Sequence, residues 1–237
     1  AVVSGTYPSL YVAAFNATKI LKGKEKFGAK SLFSRILLSI QFTLSFIIMV
    51  GSLIFVAAST YLERMDWGYN KEETVLVRLQ SPRQYEELQS LMVNDKNTKV
   101  ITGSARHIGV WSQPVTAHDI DKEYLAVMFP VGRGYLEAMN LRLKIGRDFD
   151  ESIESDRTES IIVNECLVRQ MGWTHPIGRE LMVDSVKRFV IGVVEDFYFK
   201  SFFSEIEPAM FCTTPQENFN FMLVKADAGR VSEVKKA

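Results

Sequence analysis

Cysteine and histidine are scarce in this chain. Its 237 residues hold two cysteines, Cys166 and Cys212, and three histidines, His107, His118 and His175. No Cys-x-x-Cys or His-x-x-x-His spacing is present, so the ligand patterns of structural and catalytic zinc sites are missing. A disulfide-rich secreted scaffold is excluded by the same count. In an oxidising compartment Cys166 and Cys212 can pair or remain buried thiols. The apolar neighbours Leu167-Val168 and Phe211 favour thiols, and spacing alone leaves both open. No nucleophile elbow occurs, and no serine, histidine and acid share a signature context, so the expectation is a protein that is not an enzyme and carries no cofactor. Low-complexity tracts and internal repeats are also missing.

Two near-motifs fail for physical reasons. Gly23-Lys-Glu-Lys-Phe-Gly28-Ala29-Lys30-Ser31 imitates a phosphate loop, but Ala29 separates Lys30 from the second glycine and no strand precedes it. Asp148, Asp150, Ser152 and Glu159 occupy positions 1, 3, 5 and 12 of a calcium loop. Ile153 stands where that loop needs glycine, so a solvated acidic loop is expected.

Charge is missing altogether from Ile36 to Leu62, and this run organises the chain. As one helix it rises about 40 Å, against a hydrocarbon core of roughly 30 Å. Its apolar residues cover every face, which excludes a surface-lying amphipathic helix. The neutral Ser39, Gln41, Thr43, Ser45 and Ser52 suit hydrogen bonds to neighbouring helices. A membrane span is expected at 36–62. Val56-Ala57-Ala58 resembles a signal cleavage site, yet a signal's apolar region is only about 7–15 residues.

The net charge of zero hides a split. Residues 1–35 carry Lys19, Lys22, Lys24, Lys26, Lys30 and Arg35 against Glu25 alone, and the rest of the chain is net acidic. Basic residues beside a span mark its cytoplasmic side and can meet anionic lipid; Trp67 and Tyr69 suit the headgroup layer beyond it. The expected organisation is a cytoplasmic basic linker at 1–35, the span, and an extracytoplasmic domain at 63–237. Nothing points to nucleic acid. The chain starts with Ala1 and ends in a helical pattern at Val231–Ala237, so a fragment of a longer protein is expected.

Periodicity supplies the elements. A short amphipathic helix is expected at Ser9–Leu21. Thr74–Leu79 alternates as a strand, Ser81-Pro82 starts a helix with Tyr85, Leu88, Leu91 and Met92 on one stripe, and Lys99–Ile108 reads as a second strand: a β-α-β unit. Further strands are expected at Tyr124–Val131, Ser160–Val163, Pro208–Cys212 and Asn220–Lys225. Helices are expected at Gly134–Asn140 and from the N-cap Asn164 to Gly172, with Gly146–Glu159 as loop. Glu180–Val183, a turn at Asp184-Ser185 and Arg188–Val194 form a hairpin. The fold class is α+β. Phe197, Tyr198, Phe199, Phe202 and Phe203 make the most aromatic stretch, read either as a strand end packing on the core or as a partner surface.

Several stretches in this order resemble a known family. They are Tyr135-Leu-Glu-Ala-Met-Asn-Leu141, Gly146-Arg147-Asp-Phe149, Ile162-Val163-Asn164-Glu165, Gly178, Val190-Ile-Gly-Val-Val-Glu-Asp-Phe197 and Glu207-Pro208. With Gly5-x-Tyr7-Pro8, Leu21-Lys-Gly-Lys24 and Gln41-Phe42, they are similar to MacB/FtsX-type ABC transporter permeases. The resemblance implies an inter-half linker, one transmembrane helix and part of a MacB-like periplasmic core domain of two lobes, one β-α-β-rich and one strand-rich. It implies the bacterial inner membrane and a separate ABC ATP-binding subunit that hydrolyses ATP. It also implies a second permease half or copy, lipid around the span, and a periplasmic or outer-membrane partner protein. Members export cargo, extract lipoproteins or transmit force. The rival reading is a membrane-anchored extracytoplasmic ligand sensor; an anchored hydrolase would need a polar site that the sequence does not offer.

Overall fold

The computed structural model describes residues 32–70, 72–110, 114–119, 122–201, 204–227 and 229–231. Lys19, Lys22, Lys24, Lys26, Lys30, the expected helix at Ser9–Leu21, the phosphate-loop imitation, Phe202, Phe203 and all but the first residue of the 231–237 pattern lie outside them. The chain divides into two units, at Arg64 and Met65.

The described part of the first unit is one helix, α1 (Leu32–Arg64). Its 33 residues rise about 50 Å, and the apolar window within it is wholly unburied. Phe42 and Phe55 are more than 70% exposed, as lipid-facing side chains would be. Arg35 is exposed in its first turn. Two of its neutral polar residues, Thr43 and Ser52, bond within the helix. Their hydroxyls donate 2.8 Å bonds to the carbonyls of Ser39 and Ile48, one turn back, as Thr60 does to Val56. Such back-bonding satisfies a hydroxyl inside its own helix, which is what a hydrocarbon environment demands.

The second unit is built on one sheet with three cores. β1 (Thr74–Arg78), α2 (Pro82–Met92) and β2 (Thr98–Ser104) are the expected β-α-β unit, but it is split. The last strand, β10 (Phe221–Ala226), lies antiparallel between β1 and β2. α2 covers one face of these three strands with Tyr85 and Met92, against Leu79, Phe219, Met222, Val224 and Ala226. The Tyr85 and Phe219 rings meet edge to face at 5.1 Å. β2 stops at Ser104, short of the expected Ile108, because the next amide, Ala105, leaves the ladder for the Pro130 carbonyl.

The remaining strands close on themselves. They are β3 (Pro114–Asp119), β4 (Lys122–Val131), β6 (Ser160–Asn164), β7 (Glu180–Val183), β8 (Val186–Val194) and β9 (Ala209–Thr213). Pairing runs β4-β3-β7-β8-β6-β9 and returns from β9 to β4, so a six-stranded ring has no free edge along this path. The β6–β8 and β4–β9 contacts are parallel and the other four antiparallel. β2 joins the ring through the pair Ser104↔Val131, and β5 (Leu143–Gly146) adds to the end of β8.

Residue parity, shifted in β8 by a bulge opposite Ile161 and Ile162, separates two cores on the faces of the same strands, since alternate side chains point to opposite sides. Ala117, Ala126, Ile161, Val163, Leu181, Val183, Val190, Val193, Met210 and Cys212, from all six ring strands, form one cluster with Leu167 and Trp173. This cluster is the ring's interior. Eight strands enclose a space that side chains just fill, so six leave no room for a ligand. Val127, Phe129, Ile162, Ala209 and Phe211 point the other way. They pack with Tyr135, Leu136 and Met139 around α3 (Tyr135–Ala138). Between β5 and β6, the stretch expected as loop contains α4 (Glu154–Thr158). After β6 comes α5 (Glu165–Met171), capped by Asn164 and stopped by Gly172 at φ 68°.

Candidate functional site

The segment Glu195–Glu207 leaves the end of β8 and carries the aromatic stretch. Of the two readings of this stretch, packing on the core holds at Phe197 and Phe199, and a partner surface does not form there. Phe197 is fully buried and Phe199 nearly so, because both enter the ring's outer core. The Phe197 ring lies 5.6 Å from that of Phe211, and the Phe199 ring stands edge-on to Phe129 at 5.5 Å. Tyr198, between them, points away and is half-buried. Each buried ring contributes roughly 1.5–3 kcal/mol from area alone, which fixes the segment on the core.

Hydrogen bonds then shape its far end. The Lys200 ammonium donates to both oxygens of Glu207, at 2.7 and 2.6 Å, and closes the loop between them. Asn164, fully buried, holds the loop's exit. Its Nδ2 donates to the Glu207 carbonyl at 2.9 Å, while its Oδ1 accepts from the Ala209 amide (2.9 Å) and the Leu167 amide (3.1 Å). One side chain therefore caps α5 and starts β9. The Cys166 thiol donates to the Ile206 carbonyl at 3.1 Å, and burial pushes its pKa up, which opposes thiolate formation. Cys212 lies in the ring interior; both cysteines are free.

The segment also holds the stretch that follows α1. The Tyr198 amide donates to the Trp67 carbonyl at 2.9 Å, and the Asn70 amide to the Met139 carbonyl at 2.9 Å. Gly68, at φ 79°, sits so close that a Cβ there would lie 2.7 Å from the Asp196 carbonyl and 2.8 Å from Phe197 Cα. Arg142 bridges Asp66 and Glu195, 3.3 Å from each. Trp67 and Tyr69 belong to this stretch. Both are half-buried, their rings are 6.1 Å apart, and Tyr69 packs on the outer core.

Ion pairs surround the segment's start. Asp196 accepts the Cys166 amide at 2.7 Å and pairs with Arg169, whose pKa it raises. Lys144 pairs with Glu165, which raises the lysine's pKa and lowers that of the carboxylate. A shallow, solvent-open cleft lies among Phe197–Ser201 and Glu205–Glu207.

The acidic loop is not simply solvated. Half-buried Asp148 and exposed Asp150 cap the Phe149 and Ser152 amides, at 2.7 and 2.9 Å. Asp156, which falls at position 9 of the calcium template, is 1% exposed and bonded to Arg147, Ser160 and the Asp150 amide. Among the described residues, no group of three or more His, Cys, Asp or Glu could hold a metal ion. The histidines sit apart. His118 lies 3.6 Å from Glu123 and His175 contacts Thr174. His107 is buried with its Nδ1 2.9 Å from the Tyr135 hydroxyl. The signal that sequence reading missed was alternation: Phe197 and Phe199 share a face that Tyr198 does not.

No protein-family model matches the sequence, and neither does any curated protein. Solved structures do resemble it. The periplasmic region of MacB from Actinobacillus actinomycetemcomitans aligns with TM-score 0.52 and 15% identity over 71% of this chain and 81% of its own. The extracellular domain of the noncanonic ABC-type transporter YknZ from Gram-positive bacteria aligns with TM-score 0.50 and 15% identity, over 68% of this chain and 88% of its own. The domain after α1 therefore has the fold of the extracytoplasmic domains of these two transporters.

Proposed function

We infer that this chain is a permease component of an ABC-type transporter, made of one transmembrane helix and a MacB-like external domain. It carries no catalysis of its own. A partner ABC ATP-binding subunit hydrolyses ATP at the cytoplasmic face, and α1 passes the resulting displacement to the external domain. The chain belongs to a bacterial inner membrane, with residues 1–35 in the cytoplasm, where the basic residues from Lys19 to Arg35 meet anionic headgroups. A second permease half or copy and a periplasmic or outer-membrane protein complete the assembly.

The observation that carries this reading is a pairing of parts. A helix of membrane length and composition runs directly into a domain with the MacB and YknZ external fold. The test is co-purification of the full-length membrane protein with the ATP-binding protein encoded beside it. Stable co-elution supports the reading. Failure to associate with any ATPase, together with a cytoplasmic signalling domain on the intact protein, overturns it in favour of a sensor.

A further inference from the structure

We propose that Met65–Asn70 is a rigid clamp, with Gly68 and Arg142 as its positioning residues, that carries displacement of α1 into Glu195–Phe199. The inference rests on the permease reading and specifies where its motion enters the domain.

A flexible linker would leave the stretch after a span solvated and unbonded, and motion of the span would dissipate there. Here Met65 follows Arg64 directly, and the next residues are held at four points. Gly68 donates to Asp66 Oδ1 at 2.8 Å, which sets the turn. The Trp67 carbonyl accepts Tyr198, the Asn70 amide reaches Met139, and Arg142 ties Asp66 to Glu195. Backbone lies against backbone at Gly68, and no flexible side chain intervenes to absorb a shift. The far side of the contact is Phe197, fully buried among Phe129, Phe199 and Phe211. A close-packed core transmits strain instead of damping it. From Phe199 the chain enters the Lys200–Glu207 loop, whose exit is fixed by Asn164.

The test uses the full chain in nanodiscs with its ATPase partner, in two arms. Hydrogen exchange reads the clamp itself, at peptides covering residues 66–70 and 196–199. Wild-type amides there should be protected about 100-fold or more over an open chain. Gly68→Val, which drives Cβ atoms into the Asp196 carbonyl, should speed that exchange by about tenfold or more and leave β6 and β9 unchanged. In the second arm, Gly68→Val should move ATP hydrolysis to the level of a variant lacking residues 65–237. Should Gly68→Val also deprotect β6 and β9, the surface variant Arg142→Ala decides. It should loosen residues 66–70 and shift hydrolysis part of the way.

Unprotected wild-type amides at 66–70 overturn the clamp. So does a variant that loosens them and leaves hydrolysis at the wild-type level while the deletion changes it; the permease reading then stands without the clamp. If the deletion itself changes nothing, transmembrane coupling falls and the clamp falls with it.

Discussion

The Arg147 guanidinium grips the carboxylate of Asp156 with both of its terminal nitrogens, from a position more than 40% exposed onto one 1% exposed. Burial alone would push the carboxyl pKa up. The Arg147, Asp150 and Ser160 bonds outweigh it and hold the group down at about 2. A depressed carboxylate stabilises the fold above its unfolded pKa near 4, and that contribution is lost as pH falls through 2. Asp156 should therefore account for about 2 kcal/mol of acid lability between pH 4 and pH 2. Arg147→Ala should cost about 3 kcal/mol at pH 7, because it strands a buried charge. Urea unfolding of residues 65–237 at pH 7, 4 and 2.5 checks both.

His107 titrates in a different window. Burial lowers its pKa to about 4. Between pH 4 and 6.5 the unfolded chain binds a proton that the folded chain refuses, so stability rises with pH across that range. The expected change is about 3 kcal/mol, with a plateau above pH 6.5. His107→Phe should flatten this slope and leave the loss below pH 4 in place. A variant that keeps the full slope would assign it to another group.

Asn164→Ala should lower stability by about 3 kcal/mol. It removes the α5 cap and strands the buried Ala209 amide and Glu207 carbonyl. Asn164→Asp keeps the acceptor and loses the donor, so its cost should fall between wild type and alanine. Denaturant midpoints for the three proteins order them.

Both cysteines should resist a thiol reagent in the native protein and react fully in denaturant, because each is buried and free. An intact mass two daltons below the reduced value would instead show a Cys166–Cys212 disulfide, and with it a rearranged β6 and β9.

Local signals were readable from the residues and long-range pairing was not. The hairpin turn at Asp184-Ser185 forms where it was expected, both residues taking positive φ (47° and 67°), as a two-residue turn matched to twisted strands requires. Asn164 and Gly172 bound α5 as their types predict. The insertion of β10 between β1 and β2, and the β9–β4 contact that closes the ring, join strands far apart in sequence, and no local pattern encodes them. Strand β5 escaped notice because all four of its residues are exposed and none alternates. Asp156 looked solvated among other acids, since its partner Arg147 lies nine residues away across a turn that only the fold brings round. The aromatic run left two readings open for a related reason. Composition shows how many rings there are, and only packing shows that Phe197 and Phe199 turn inward.

The most direct measurement is ATP hydrolysis by the co-purified complex in nanodiscs, with and without residues 65–237. The account predicts that removing the external domain leaves the ATPase bound and changes its hydrolysis rate severalfold, because the two sides of the membrane are coupled through α1. Hydrolysis identical in the two complexes would contradict it, and would leave the external domain a passenger on the span.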